Sequence, residues 1–488
     1  MKSAFDGNVT DAKKWIQQGA NVHEKFKFDS KLNLMYFVTM KAVFDGKKEL
    51  SDGQIEIFKI LIEKGVDINN ANYVEMPGDT STFSPLIHLA VVYGYANLVR
   101  LLLDHGVDVS YKIGHTLTLL HLVAREGRNN KDNFKIAEML LNHRPLKSKI
   151  DIKEKEKGMT PLGFAITYRQ TELAKLFIKH GASIFTKNHD DFSNLHIAAN
   201  NGDVEMIKIL LDMGMDINAV AGPKFGITPL NAAVNEMKMN AVKVLLERGA
   251  DPNIRDKKFG ISPLHRCLNE HEQATAQNEN IAALMIFKVL IKHGAKIDNK
   301  SIQLQTPLHI AAMNGKTFAI APLVNMGADL HFRNCMGFTP LIEAAHFGHF
   351  EAVKILVEAG SDINAVGTQE MGKIGSLHYA CQKGYTKIAK YLIDKGADLE
   401  VKSHPDKLTP LHTAVWSGHY EISKYLIEHG AEVEAKDAAS RRPIYYAAGK
   451  NRKDLLDLLA LQIASKRDLS DGLLHMQLDD KLNITRVM

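Results

Sequence analysis

The amino-acid sequence predicts an all-α solenoid of stacked helix-turn-helix units, and three observations predict it. A Thr/Ser-Pro-Leu phrase recurs at Ser84, Thr160, Thr228, Ser262, Thr306, Thr339 and Thr409, with degenerate copies at Thr118, Ser193, Gly375 and Arg442. Successive copies start 33 to 36 residues apart, with two longer steps of 42 and 44. A second phrase trails each copy by about 20 residues, as in LLDMGMDIN, LLERGADPN and LVEAGSDIN. Self-similarity at such a period marks a chain made by stacking one supersecondary unit.

Each element of the unit has a physical reason. The Thr or Ser hydroxyl caps free backbone N–H groups at a helix start, and the following Pro fits the first helical position because no N–H is needed there. Leu and Ala then fall on one face, as in Thr306-Pro-Leu-His-Ile-Ala-Ala, and the small Ala residues let neighbouring helices approach closely. Gly315, Gly348, Gly384 and Gly418 stand where the first helix must end, a left-handed position that suits glycine. A second helix carries paired apolar residues such as Leu210-Leu211 and Leu245-Leu246 and ends at another glycine, as at Gly214, Gly249, Gly327 and Gly430. The Asp and Asn residues that follow are turn formers.

These phrases resemble the ankyrin-repeat pattern G-x-TPLHxAA-x-x-G-x₁₁-GADvN, most closely at 306–331, 339–364 and 409–434, and the resemblance runs from about residue 4 to 460. It implies antiparallel helix pairs stacked side by side with β-hairpin fingers along one edge, in about 12–13 repeats including caps. Four segments follow: an N-terminal capping half-repeat at 1–31, diverged repeats with insertions at 32–159, regular repeats at 160–441, and a C-terminal capping repeat with tail at 442–488. Three units depart from the norm. Extra residues fall at Phe44–Ser51 and Val74–Thr82 in the first, at Arg128–Asp132 and the charged linker Leu146–Lys157 in the second, and at Glu272–Asn280 in the third. Sequence drift and a binding role both account for such insertions, because loop length is cheap in closure entropy. Arg144 replaces the usual helix-ending glycine, so the weakest joint is expected around Asn129–Lys157. The apolar residues of the tail, from Leu473 to Ile484, read as a helix covering the last repeat or as a docking segment.

Composition narrows the function. The 488 residues are 45% hydrophobic and 24% charged, an ordinary globular composition. A net charge of +5, with acidic residues interleaved throughout, gives no polyanion-binding signature, so no nucleic-acid partner is expected. Cys267, Cys335 and Cys381 are far apart and form no CxxC pair, which points to a reducing cytosol rather than to disulfides or zinc. The N-terminus lacks the apolar run of a signal peptide, and the stretch Pro85–Leu103 is interrupted by His88, Gly94, Asn97 and Arg100, so no membrane span is expected.

No nucleotide-binding glycine loop, HExxH or GxSxG occurs. His121, His196, His265, His309, His378 and His412 occupy the fourth position of the repeated phrase, where the resemblance implies hydrogen bonds linking neighbouring units. His105, His180, His293 and His429 precede helix-ending glycines, where a partly positive ring suits the helix dipole. Catalytic residues, metal ligands, cofactors and a small-molecule substrate are therefore not expected. Cys335 falls at a finger tip and is expected to be the exposed thiol, whereas Cys267 and Cys381 behave as small core residues.

The resemblance places partner contacts just before each Thr-Pro and seven and eight residues after the Thr. These positions hold Met313, Asn314, Met336, Phe338, His346, Phe347, Gln382, Lys383, Trp416 and Ser417. Trp416 reads as an anchor for a partner or as packing against the adjacent repeat. A second candidate is the recurrence of Lys224-Phe225 and Lys258-Phe259 at finger tips, either a ridge for an acidic, partly apolar partner or an edge with each Phe turned inward. Asn69, Asn218, Asn253 and Asn364 sit in a turn sequence similar to that recognised by asparaginyl hydroxylases, although Asp and Asn also serve turns on their own account. The sequence thus predicts a cytoplasmic scaffold or adaptor that binds a protein and catalyses nothing. The alternatives are a secreted effector delivered into a host cytosol, and an enzyme with its site in the diverged repeats at 26–160.

Overall fold

The computed structural model describes residues 6–18, 20, 34–47, 49–69, 72–74, 82–112, 117–126, 132–269 and 276–465. Among them a single helix, Val9–Gln17, is followed by twelve helix pairs, from Leu34–Phe44 with Asp52–Glu63 to Pro443–Gly449 with 453–465, and one short extra helix, Arg144–Lys147, between the third and fourth pairs. The chain forms two compact units, Met1–Ala250 and Asp251–Met488. Within each, first helices pack on first helices of the next repeat and second helices on second helices. In the Asp251–Met488 unit the first-helix row runs Pro263–Leu268, Pro307–Met313, Pro340–Phe347, Ser376–Lys383, Pro410–Ser417 and Pro443–Gly449.

The repeated phrase works as its chemistry dictates. At Thr409 the backbone N–H donates to His412 Nδ1 at 3.3 Å, and the hydroxyl accepts the His412 N–H at 3.4 Å. Because Nδ1 accepts, Nε2 carries the ring proton and donates to the Arg441 carbonyl of the next repeat at 3.2 Å. His309 repeats this with Thr306 and the Phe338 carbonyl at 3.0 Å. His121, His196, His265 and His378 likewise reach carbonyls one repeat on. The inter-repeat role implied for the histidines is thus present at all six.

Helices end on glycine for two different reasons. Gly430 adopts φ 95° with open space where a side chain would stand, so backbone conformation alone selects it. Gly384 also has positive φ, but a Cβ there would lie 2.5 Å from the His419 ring, so close approach is a second constraint. His419 uses that space to donate from Nε2 to the Gln382 carbonyl at 3.3 Å. Arg169 and Met237 take the same left-handed position without being glycine.

The core is a column of Leu, Ile, Val and Ala between the two helix rows, including Leu308, Ala311, Leu341, Ala345, Leu411 and Ala414, none measurably exposed. Each fully buried Leu or Ile contributes about 1.5–3 kcal/mol. Fingers are closed by backbone pairs such as Asn334 N to the Phe338 carbonyl at 3.0 Å and Ser403 N to the Leu408 carbonyl at 2.9 Å. Among the described residues ladder pairing is sparse: one hairpin, Asn72–Val74 with Thr82–Ser84, and isolated bridges such as Val366 with Gly375.

The departures behave differently from one another. The stretched unit closes its insertion with that hairpin, and residues 75–81 lie outside the described residues. Residues 128–131 and 272–275 also lie outside them, as do the tail 466–488 and most of the N-terminal capping segment. Part of the third insertion is helical, since Ala276–Lys292 has 17 residues where most second helices have nine. Leu146–Lys157 is tied down: Leu146 and Ile150 are buried, and the Glu154 carboxylate accepts the N–H groups of Glu156, Lys157 and Met159 at 2.6–3.0 Å. The helix before it ends through an extended His143, φ −83° and ψ 113°, instead of a left-handed glycine.

Candidate functional site

The last turns of four adjacent first helices bring Met313 and Asn314, His346 and Phe347, Gln382 and Lys383, and Trp416 and Ser417 onto one face of the Asp251–Met488 unit. Phe347 and Trp416 are 47% and 45% exposed. Gln382, Lys383 and Ser417 are exposed, and Met313, Asn314, Met336 and His346 are half-buried. Large aromatic groups left half in water at positions the core does not need are typical anchors for a partner.

Two aromatic groups structure this face. Around the Pro340–Phe347 helix, His346 stacks on Tyr379 with centroids 4.3 Å apart and lies 4.8 Å from Phe347. Burial, and then the Lys383 charge, lowers the His346 pKa, so a neutral imidazole is favoured. Farther along, Trp416 lies 6.4 Å from Tyr446. Tyr446 donates its hydroxyl to Asp437 at 2.6 Å, and the Arg441 guanidinium covers the Tyr445 and Tyr446 rings at 5.6 and 5.1 Å. Tyr445 is 56% exposed and extends the apolar face. Neither Tyr445 nor Tyr379 was expected here, because both stand earlier in their helices than the last-turn positions the pattern marks.

Phe338 is a correction. The ring is 1% exposed and sits in a core cluster with Ile342, Ala365 and Tyr379. The finger turns there: the N–H groups of Met336 and Phe338 both donate to Asn334 Oδ1, at 2.9 and 3.0 Å. That closure folds the Phe338 ring inward against Gly367, where an added Cβ would meet it at 2.8 Å, while Met336 stays half-buried at the edge. Asn314 has a structural task as well, its side chain donating to the Leu268 carbonyl of the previous repeat at 3.0 Å.

The two Lys-Phe pairs fall on different units, Lys224 and Phe225 in Met1–Ala250 and Lys258 and Phe259 in Asp251–Met488. Neither Phe is turned fully inward, since Phe225 is 42% and Phe259 52% exposed. Lys258 holds its ammonium 4.6 Å from the Phe259 ring, a cation–π contact that shields one side of it without burying it.

The turn asparagines act between repeats. Asn69 Oδ1 accepts the Asp108 N–H at 2.7 Å, Asn253 that of Lys296 at 2.8 Å, and Asn364 that of Asp398 at 2.8 Å. The Asn218 N–H donates to Asp216 within its own turn at 2.9 Å. Cys335 is exposed, and burial raises the pKa of the Cys267 and Cys381 thiols.

In the diverged repeats a cavity of about 410 Å³ opens between second helices, lined by Glu49, Lys59, Arg100, Asp104, Asp132 and Lys135 with Ile55, Leu101 and Met139. Lys135 pairs with Asp132 at 2.8 Å. Among the described residues its lining is made of charged, amide and apolar side chains. Among the described residues no three His, Cys, Asp or Glu side chains are placed to hold a metal ion, and no helix is long and apolar enough to cross a membrane.

Comparison with known proteins follows the same periodicity. The family description "Ankyrin repeats (3 copies)" matches residues 1–113, 195–278, 273–366 and 377–471, and "Ankyrin repeats (many copies)" matches 164–211. The nuclear factor NF-kappa-B p105 subunit of Gallus gallus is 30% identical over 202 residues, 41% of this chain and 20% of that protein. Alpha-latrocrustotoxin-Lt1a of Latrodectus tredecimguttatus is 29% identical over 339 residues, 65% of this chain and 21% of the toxin. The B-cell lymphoma 3 protein homolog of Mus musculus is 29% identical over 187 residues, 38% of this chain and 39% of the relative. The matched region thus spans only 20–39% of the length of these relatives.

Proposed function

Because this chain belongs to the ankyrin-repeat family, whose repeats generally mediate protein–protein interaction, we propose that it is a scaffold or adaptor holding a protein partner on the first-helix and finger face of the Asp251–Met488 unit. The observation that carries this reading is the half-exposure of Phe347 and Trp416 on last turns either side of the Ser376–Lys383 helix, whose exposed Gln382 and Lys383 lie between them. Interface anchors combine large apolar area with few rotatable bonds, and truncating one costs about 2 kcal/mol or more. The remaining polar atoms of the face, on Gln382 and Ser417, supply orientation, as rim groups do at interfaces. The reading assigns the chain no reaction of its own, and a reducing cytosol fits an exposed, unpaired Cys335.

The test is affinity capture from cell lysate with the intact chain and with a Trp416→Ala, Phe347→Ala double variant, each captured protein then being confirmed by titration with purified material. A partner bound by the intact chain and lost by the variant, at unchanged thermal stability, supports the reading. A partner bound equally by both moves the site elsewhere on the chain, and a chain that binds no protein at all removes the reading.

A further inference from the structure

We propose that the finger edge of the Asp251–Met488 unit docks an acidic segment of a partner protein that also carries apolar side chains; this deepens the binding-module reading and rests on it. Six fingers form that edge, at 254–261, 299–305, 332–338, 366–374, 401–408 and 435–442, and their backbones are joined laterally. The Ile302 N–H donates to the Phe259 carbonyl at 2.8 Å, Cys335 to Gln303 at 3.0 Å, and Thr368 to Met336 at 3.1 Å. His404 then donates to Gly372 at 2.7 Å and Ala438 to Asp406 at 2.8 Å. One bond per step makes the tips a continuous rim rather than independent loops.

That rim is strongly polarised. The six segments hold eleven Lys and Arg against four Asp and Glu, an excess of seven that exceeds the +5 of the whole chain. Two of the four carboxylates are already spent internally: Asp256 is buried against Arg266, and Asp437 is buried and paired with Arg441 at 2.8 Å. Lys257, Lys300, Lys373, Lys402, Lys407 and Lys436 are exposed, and none of them forms an ion pair among the described residues. The turns that close the second helices have the opposite bias. In 294–298, 327–331, 360–364, 396–400 and 430–434 there are seven Asp and Glu and one Lys. Those carboxylates accept backbone N–H groups of their own turns, as Asp362 does from Asn364 at 3.0 Å and Asp398 from Glu400 at 2.8 Å. The acidic groups therefore serve the fold, whereas the six tip lysines pair with no carboxylate among the described residues, Lys300 holding its ammonium 4.2 Å from the Phe332 ring.

Apolar side chains are interleaved with these cations. Phe259, Ile302, Leu304 and Met371 are 52%, 64%, 45% and 38% exposed. Exposed apolar groups beside unpaired ammonium groups match a partner whose carboxylates and apolar side chains alternate, because each kind of group then replaces water with its complement. A membrane surface and a nucleic acid offer negative charge too. The spacing of single apolar side chains along a rim of separate tips favours a peptide, which presents discrete side chains at intervals.

The test measures binding of the full chain to a fluorescein-labelled peptide of four Asp-Glu-Leu-Ser-Phe repeats by fluorescence anisotropy. Controls are the same peptide with Ser replacing Leu and Phe, the same peptide with Lys replacing Asp and Glu, phosphatidylserine vesicles, and a single-stranded oligodeoxythymidine. The expected result is binding of the mixed peptide at least about tenfold tighter than either peptide control, weakening as salt rises. A Lys257→Glu, Lys300→Glu, Lys407→Glu variant is expected to lose about tenfold in affinity, and Phe259→Ser with Ile302→Ser to lose several-fold. All five side chains are exposed, so thermal stability is expected to change little, by no more than the surface Lys300–Phe332 contact contributes. Equal binding of the mixed and control peptides, equal binding by the charge-reversed chain, or charge-dependent binding of vesicles or oligonucleotide in preference to peptide overturns the proposal. A captured partner lost by the Trp416, Phe347 variant but retained by the charge-reversed chain overturns it too, and leaves the binding-module reading intact.

Discussion

Glu343 and Asn334 form a buried carboxyl–amide pair between a first helix and its own finger, the Asn334 Nδ2 donating to Glu343 Oε1 at 2.8 Å with the two residues 1% and 4% exposed. Two other fingers use the same two places with different chemistry. Asp256 meets Arg266 in a buried ion pair, and Asp437 accepts the Tyr446 hydroxyl at 2.6 Å. Each finger is thus locked to its helix by whichever complement the finger residue requires, because neither partner has water to fall back on.

The Glu343 pair makes stability depend on pH. Burial raises the Glu343 pKa to about 7, against the opposing hydrogen bonds from Gln305 and Asn334. With the folded value above the unfolded one, the contribution is full below about pH 4.5 and is lost as pH rises through 7. Glu343→Gln keeps the shape and a hydrogen-bonding group without the charge. It is expected to be more stable than the parent at pH 8.5, by about 2 kcal/mol, and indistinguishable from it at pH 5. Chemical denaturation at both values checks this, and an equal or lower midpoint at pH 8.5 would count against it.

The inter-repeat histidines impose the reverse dependence. Burial holds His121, His196, His265 and His309 at about 4, and likewise His88, whose Nε2 reaches the Tyr111 carbonyl at 3.3 Å, despite hydrogen bonds to carbonyls that favour the charged form. Their stabilisation is full above the unfolded value of 6.5 and is lost as pH falls from there to about 4. The denaturation midpoint is expected to fall between pH 7 and pH 5. His309→Ala should lower it at pH 7 by about 2–4 kcal/mol and flatten part of that slope. A midpoint independent of pH over this range would contradict the assignment.

Phe338 and Phe347 separate core from surface within one repeat. Phe338→Ala is expected to cost about 3–5 kcal/mol by emptying the space beside Tyr379 and Ile342. Phe347→Ala, at a half-exposed site, is expected to cost less than about 1 kcal/mol. Thermal melts of the two variants give the comparison directly.

The turn asparagines are expected to be replaceable by an acceptor but not by a methyl group. Asp398 N–H has Asn364 Oδ1 as its acceptor at 2.8 Å, so Asn364→Ala should cost about 1 kcal/mol and Asn364→Asp much less. Asp151 and Glu400 already act as carboxylate acceptors at equivalent turns, from Ser183 and Glu432 N–H at 2.9 and 2.8 Å. Hydrogen exchange at the Asp398 amide would register the loss locally.

The helix pairs, their ends and the linking histidines were legible because each is dictated by groups close together in the chain. Thr306 and His309 are three residues apart, and the Leu and Ala faces follow helical spacing. Side-chain direction at the fingers was not legible in the same way. Met336 and Phe338 are two residues apart with similar hydrophobicity, and only closure of the turn on Asn334 puts one at the edge and the other in the core. Tyr379 backs the exposed face from the core by stacking on His346, 33 positions away in the previous repeat, and Tyr445 extends the face under the Arg441 guanidinium of its own finger. By itself, then, the sequence determined the repeat, its helix ends and its inter-repeat ties, since periodic local chemistry suffices to specify a stack. The tertiary structure decided which side chains are left exposed on the first-helix face and which finger-tip cations form no ion pair, because exposure and pairing depend on neighbours that lie a whole repeat away.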